Sequence, residues 1–117
     1  SLAAVDSITL DRVAPQSAVQ GLPAWQMGDV DFVVQWSGSD ALSGVADYQV
    51  QVKVDDAAWA DWYSGTETSQ VYSGQVGHRY AFRCRATDGA GNVEAWPGSE
   101  DGFTELLHGV FLPGVLR

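Results

Sequence analysis

Three runs of strict period-two alternation constrain this chain more than anything else in it. Val30, Phe32, Val34 and Trp36 alternate with Asp31, Val33 and Gln35. Tyr48, Val50, Val52 and Val54 alternate with Asp47, Gln49, Gln51 and Lys53, and Tyr80, Phe82, Cys84 and Ala86 with Arg79, Ala81, Arg83 and Arg85. Successive side chains of a strand point to opposite faces, so each run reads as a strand with one buried face and one wet face. No window of similar length places apolar residues at the i, i+3, i+4, i+7 spacing of a core-facing helix. Helix is therefore expected to be absent or trivial. Turn-forming clusters separate the runs: Ser37-Gly38-Ser39-Asp40 with Ser43-Gly44, Ser64-Gly65-Thr66, Ser73-Gly74 with Gly77, and Asp88-Gly89-Ala90-Gly91-Asn92. Short strands so punctuated, with no helices between them, predict an antiparallel sandwich or barrel. The chain's 117 residues suit one such domain, and no internal repeat or low-complexity tract divides them.

Charge removes several classes of function. Six Lys+Arg against 15 Asp+Glu leave a net charge of −9, and that field repels phosphate backbones and anionic lipid. Nucleic acid and membrane insertion are thus excluded as expectations; no apolar run approaches the roughly 18 residues of a spanning helix. One cysteine and two histidines make neither an internal disulfide nor a zinc site. The chain starts without Met or a signal-peptide pattern, so it is expected to be a processed chain or an excised piece.

The V-x-F-x-V-x-W strand ending at Trp36 resembles strand B of fibronectin type III domains, and Gly77-His78-Arg79-Tyr80-Ala81-Phe82-Arg83-Cys84-Arg85-Ala86 resembles their strand F. The W-S-G-S-D-A-L-S-G-V-A-D-Y-Q-V, W-A-D-W and Y-A-F-R-C-R-A-T-D-G-A-G-N pieces are similar to fibronectin-like or immunoglobulin-like modules of secreted and surface bacterial proteins. The resemblance covers residues 13–104. It implies an all-β, seven-stranded antiparallel sandwich, an extracellular setting, a tyrosine-corner role for Tyr80, and a spacer, adhesion or assembly role without catalysis or cofactor. Its strands would be A within 14–23, B 29–36, C 46–54, C′ 59–63, E 69–72, F 79–87, and G from Val93. Trp36, Tyr48, Tyr80, Phe82 and Cys84 form the expected core. The implied organisation is a flank at 1–12, a sandwich at 13–105, and an apolar tail at 106–117.

Candidate chemistry is sparse. Cys84 falls on an inward register, where a thiol is inert; His78 and His108 carry no motif, and no G-x-S-x-G elbow is present. In the implied topology Asp40, Asp88 and Asn92 meet at one pole with Asp47 at its edge, an oxygen-rich grouping of the kind Ca²⁺ takes. The preferred reading is Asx turns, because no D-x-[DN]-x-[DN]-G spacing exists and Asp and Asn are ordinary turn residues. Five tryptophans are many for this length. Trp59, Trp62 and Trp96, with Tyr63, are a candidate glycan platform. The preferred alternative uses Lys53, Arg79, Arg83 and Arg85, which fall on outward positions of neighbouring strands, so that tryptophans lie over guanidiniums in a cation–π ladder.

Both flanks exceed what a sandwich needs. The 1–10 segment is strand-like, with Val5, Ile8 and Leu10, while Leu106, Leu107, Val110, Phe111 and Leu112 form a tail too apolar to stay uncovered. These are the expected assembly strands, pairing with a neighbouring copy in preference to their own sandwich. A partner is therefore expected to be protein, by self-association or from neighbouring modules, with carbohydrate second.

Overall fold

A computed structural model describes residues 13–27 and 30–107. The described residues form eight strands and no helix: β1 (Gln16–Val19), β2 (Trp25–Met27), β3 (Asp31–Ser39), β4 (Val45–Val54), β5 (Ala60–Gly65), β6 (Ser69–Ser73), β7 (Arg79–Asp88) and β8 (Gly102–Leu107). They make two sheets, β1-β3-β6 and β2-β8-β7-β4-β5. Every pairing is antiparallel except β2 with β8, which is parallel.

The additional strand has a local cause. After β1 the chain passes through Gly21-Leu22-Pro23, and proline, lacking an N–H, cannot continue a ladder. The strand expected within 14–23 is β1, which ends at Val19, and an unexpected strand, Trp25–Met27, pairs in the opposite sheet beside Glu105–Leu107. The second sheet is mixed for that reason.

Alternation does the rest. Phe32, Val34 and Trp36 of β3, Tyr48, Val50 and Val52 of β4, and Tyr80, Phe82, Cys84 and Ala86 of β7 are buried in one cluster. Trp36 lies at its centre, 1% exposed, with its indole N–H donating to the Glu67 carbonyl at 2.9 Å. Trp62 and Tyr63 both turn toward it, with ring centroids 6.2 and 5.1 Å away. Consecutive residues share a face here because Val50 pairs with Tyr63 but Gln51 with Asp61, leaving Trp62 as the extra residue of a bulge. Trp62 is also 5.3 Å from Tyr72 and 5.4 Å from Phe82. Its half-buried place between the sheets sets it apart from Trp59 and Trp96, with which it was a candidate glycan platform.

The edge of β7 is completed in an unusual way. The strand expected to start near Val93 does not: Val93 makes one bridge with Thr87, and β8 begins only at Gly102. Pro97-Gly98 sits in the interval, which leaves the sheet after the Glu94 N–H donates to the Ala86 carbonyl (2.9 Å) and rejoins where the Asp101 N–H donates to that of Phe82 (2.8 Å). Backbone donors along this edge still need partners, and two carboxylates supply them. Glu94 Oε1 accepts from the Ala86 N–H (3.0 Å) and the Ser17 hydroxyl (2.6 Å), and Oε2 from the Ser17 N–H (3.2 Å). Asp101 Oδ2 accepts from the N–H groups of Val19 (3.0 Å) and Cys84 (3.3 Å). Each carboxylate thereby joins β1 of one sheet to β7 of the other.

The Tyr80 hydroxyl accepts from the Gln75 N–H at 2.7 Å and lies 3.4 Å from the Gln75 carbonyl oxygen, pinning the β6–β7 connection to the core. Gly74 makes that approach possible: a Cβ there would sit 2.7 Å from the Tyr80 ring and 2.8 Å from Leu106 Cδ1. Gly74→Ala should therefore destabilise the fold by about 1–3 kcal/mol through overpacking, measured by urea denaturation. Wild-type stability in this variant would show that the ring is free to move aside.

The chain enters and leaves at opposite poles. Gln16 pairs with Ser39 at the end of β3, whereas Leu107 pairs with Met27 at the far end of the other sheet. Leu106 is fully buried, its N–H donating to the His78 carbonyl (3.0 Å) and its own carbonyl accepting from Gly77 (2.7 Å). Leu106 and Leu107 belong to β8 of their own sandwich, a correction to their expected role as strands for a neighbour. The register explains it: with the interval around Pro97 looped out, the strand after it runs through Leu107. Val5, Ile8, Leu10, His108, Val110, Phe111 and Leu112 lie outside the described residues.

Candidate functional site

The outer face of the five-stranded sheet carries the most distinctive side-chain arrangement. Among the described residues all four Lys and Arg, namely Lys53, Arg79, Arg83 and Arg85, occupy outward positions of β4 and β7. The Arg83 guanidinium lies 4.4 Å from the Trp59 ring centroid and 5.0 Å from that of Trp96; Arg85 lies 4.6 Å from Trp96. Arg79 stacks on Phe103 at 4.1 Å and pairs with Glu100 at 2.8 Å. Side-chain acceptors set the planes: Arg83 Nε donates to Gln51 Oε1 (2.9 Å) and Arg85 Nε to Gln49 Oε1 (2.5 Å). Arg83 Nη1 donates to the Pro97 carbonyl at 3.0 Å, tying the looped-out segment to the sheet.

This ladder is stabilising chemistry. Each arginine–aromatic stack is worth roughly 0.5–2 kcal/mol depending on desolvation, and together the stacks hold the 95–100 interval over the exposed side of β7. Burial lowers the Arg83 pKa, opposed by the charge of Asp101, yet a guanidinium stays cationic. A sugar-stacking platform needs open ring faces in one plane. Here Trp96 is shared by two guanidiniums, Trp59 is engaged by Arg83, and Trp62 is half-buried, packed against the core. Trp59 and Trp96 are brought together; Trp62 is not with them.

The opposite grouping, at the entry pole, is also committed. Asp40 Oδ2 accepts from the N–H groups of Ser43 (2.9 Å), Gly44 (3.2 Å) and Leu42 (3.3 Å). Asp88, 1% exposed, accepts through Oδ1 from Ala90 (3.0 Å) and Asn92 (2.8 Å), and through Oδ2 from the Asn92 side-chain amide (3.0 Å). The Gly89 N–H donates to the Gly44 carbonyl at 3.0 Å, so the two loops do share a pole. Their oxygens face backbone donors, as Asx-type turns require. Asp47 stands on β4 opposite Thr87, next to a bulge. No group of three or more His, Cys, Asp or Glu among the described residues is placed to hold a metal ion.

Cys84 is buried, its thiol donating to the Ser17 hydroxyl at 3.3 Å. Desolvation is the main cause that pushes its pKa up to about 12, the nearby carboxylates adding to it. A thiol so held is not a nucleophile near neutrality. His78 is distant in role as well as place: its Nδ1 lies 2.6 Å from Asp55 Oδ2 on the surface. Asp55 adopts a positive φ of 54°, and the Arg79 N–H, with His78 second, holds its carboxyl below the usual range.

Sequence reasoning missed Glu94 and Asp101, the pair with the most structural consequence. The available signal was their position, on either side of a segment containing Trp96-Pro97-Gly98 that alternation could not extend. No protein-family model, curated protein or solved structure matches the chain.

Proposed function

We propose that this chain is a fibronectin type III-like sandwich acting as a non-catalytic, extracellular structural module, joined to its neighbours or to further copies through its terminal segments. The observation that carries the reading is the opposition of the two poles. Three of the exposed large apolar residues, Val13, Leu42 and Val93, flank the entry pole, and three others, Trp25, Met27 and Val30, the exit pole. A unit threaded end to end, with an apolar cap at each end, suits serial connection. The family reading draws support from the Tyr80 hydroxyl bond and from a three-stranded sheet facing a larger one. Catalysis would need an activated nucleophile or acid–base pair in a cleft; against it stand the carboxylates of Asp40, Asp88, Glu94 and Asp101, which accept from backbone N–H groups, and the Cys84 thiol, which is buried against the Ser17 hydroxyl.

Truncation tests it. A chain ending at Leu107 keeps β8 and should retain its fold while losing the concentration-dependent association of the full chain, measured by sedimentation and negative-stain microscopy. Equal association of the two chains would overturn the terminal-segment reading.

A further inference from the structure

We infer that the outer face of β4 and β5 carries a binding pocket for a single neutral sugar residue, formed where the bulge at Trp62 leaves a gap. The pocket is distinct from the Trp59/Trp96 surface and does not depend on how the terminal segments are used.

Alternation turns Gln49 and Gln51 of β4 outward, where they pair with Ser64 and Asp61 of β5. In a regular strand a single residue separates two that share a face. Between Asp61 and Ser64 stand both Trp62 and Tyr63, and both side chains pack against the core. No side chain therefore covers the outer face over the bulge, and the backbone of the extra residue stands outside the ladder. The result is a pocket of about 190 Å³ lined by Gln49, Asp61, Trp62, Tyr63 and Ser64. At about 30 Å³ per water it holds the room of roughly six waters, below the roughly 300 Å³ at which drug-sized sites begin. That suits one small ring.

The arginine ladder sets which polar atoms are left for a ligand. Arg85 Nε donates to Gln49 Oε1, so the Gln49 amide nitrogen keeps its two donors free. Arg83 Nε donates to Gln51 Oε1, and Gln51 Nε2 in turn donates to Asp61 Oδ1 at 2.9 Å. Asp61 Oδ2 remains as an acceptor, and the Ser64 hydroxyl can act either way. Among the described residues, Gln49 Nε2, Asp61 Oδ2 and the Ser64 hydroxyl have no hydrogen-bond partner. Stacked guanidiniums thus fix two amide orientations before any ligand arrives, which lowers the cost of binding.

A donor and an acceptor side by side match hydroxyl groups, which both give and take hydrogen bonds. An anion would meet Asp61 and the field of a chain with net charge −9. A cation would meet Arg85 beside Gln49. Neighbouring neutral hydroxyls on one ring meet neither obstacle. Trp59 and Trp96 are engaged by guanidiniums, so affinity rests on hydrogen bonds in a solvent-facing site and is expected to be millimolar.

The test titrates the full chain with methyl glycosides of glucose, galactose and mannose, each to about 100 mM, and reads amide signals by NMR. At least one glycoside should give saturable shifts at the Gln49 side-chain amide and the Ser64 backbone amide. The Trp59 and Trp96 indole N–H signals should stay still. Asp61→Ala, at an exposed position, should keep the parent melting temperature and weaken that binding at least tenfold; should it fail to fold, Ser64→Ala gives the same comparison. Arg85→Met, which releases the Gln49 carbonyl, should also weaken binding, and unchanged affinity would overturn the supporting role of the ladder. Stronger shifts with glucuronate than with any neutral glycoside would mark an anion site and overturn the ligand class. Shifts confined to the two indoles would put sugars on the aromatic ladder and overturn the pocket. No saturable shift with any glycoside, or equal binding by the parent and Asp61→Ala, would overturn the inference outright.

Discussion

Trp36→Ala should cost about 3–5 kcal/mol of folding stability, the range for removing a large buried aromatic. Small domains have only about 5–15 kcal/mol in total, so the variant should sit near its unfolding midpoint at moderate temperature. Three losses combine. The indole fills the space between the sheets, touching Trp62 and Tyr63 from the bulged strand. Its removal leaves a cavity that backbone-anchored neighbours cannot collapse into, since Tyr63 is held by the hydrogen bond between its hydroxyl and the Glu67 N–H at 2.8 Å. The Glu67 carbonyl also loses the indole donor. Val33→Ala on the same strand, with its side chain outward, should change stability by about 0.5 kcal/mol or less. Urea denaturation of both variants gives the comparison. A Trp36→Ala midpoint within a couple of degrees of the parent on heating would show that the ring is not the keystone of the core.

The contrast between those two positions was legible in the sequence, because β3 alternates strictly from Asp31 to Trp36 and a one-residue slip would invert every side chain. The arginine register on β7 was legible for the same reason. Trp62 was not, because a bulge places consecutive residues on one face and alternation carries no trace of it. Pro23 marked a break but could not say that the strand beyond it changes sheets. Nor could the apolar run from Leu106 show where it belongs: burial demand is the same for a strand in its own sandwich and for one lent to a neighbour. What separates the two is the length of the loop before it, and that loop is set by contacts far apart in sequence, Arg83 with Trp96 and Glu94 with Ser17.

Those long-range carboxylates give the second large effect, and its sign pattern is specific. Glu94 uses both oxygens against donors: Oε2 toward the Ser17 N–H, Oε1 toward the Ala86 N–H and the Ser17 hydroxyl. Glutamine at that position would present an NH₂ to one of two backbone N–H groups whichever way the amide is turned. One donor is then left facing another, and an unsatisfied, part-buried N–H costs about 1–3 kcal/mol beyond the lost charge assistance. Asp101 differs, because the Val19 and Cys84 N–H groups both go to the same oxygen, Oδ2. Asparagine can place its carbonyl there and keep both bonds, losing only their ionic strengthening, about 1 kcal/mol. Glu94→Gln should therefore be destabilising by about 2–4 kcal/mol, and clearly more so than Asp101→Asn, although both substitutions remove one negative charge from an acidic chain. Net charge alone would favour each variant slightly through reduced self-repulsion, so charge cannot produce the predicted order. Amide exchange adds a local readout: the Ser17 or Ala86 amide should lose protection in Glu94→Gln, while Val19 and Cys84 keep theirs in Asp101→Asn. Equal destabilisation by the two variants, or the reverse order, would mean that the two sheets are held at this edge by apolar packing of β1 on β7 and not by the shared carboxylates.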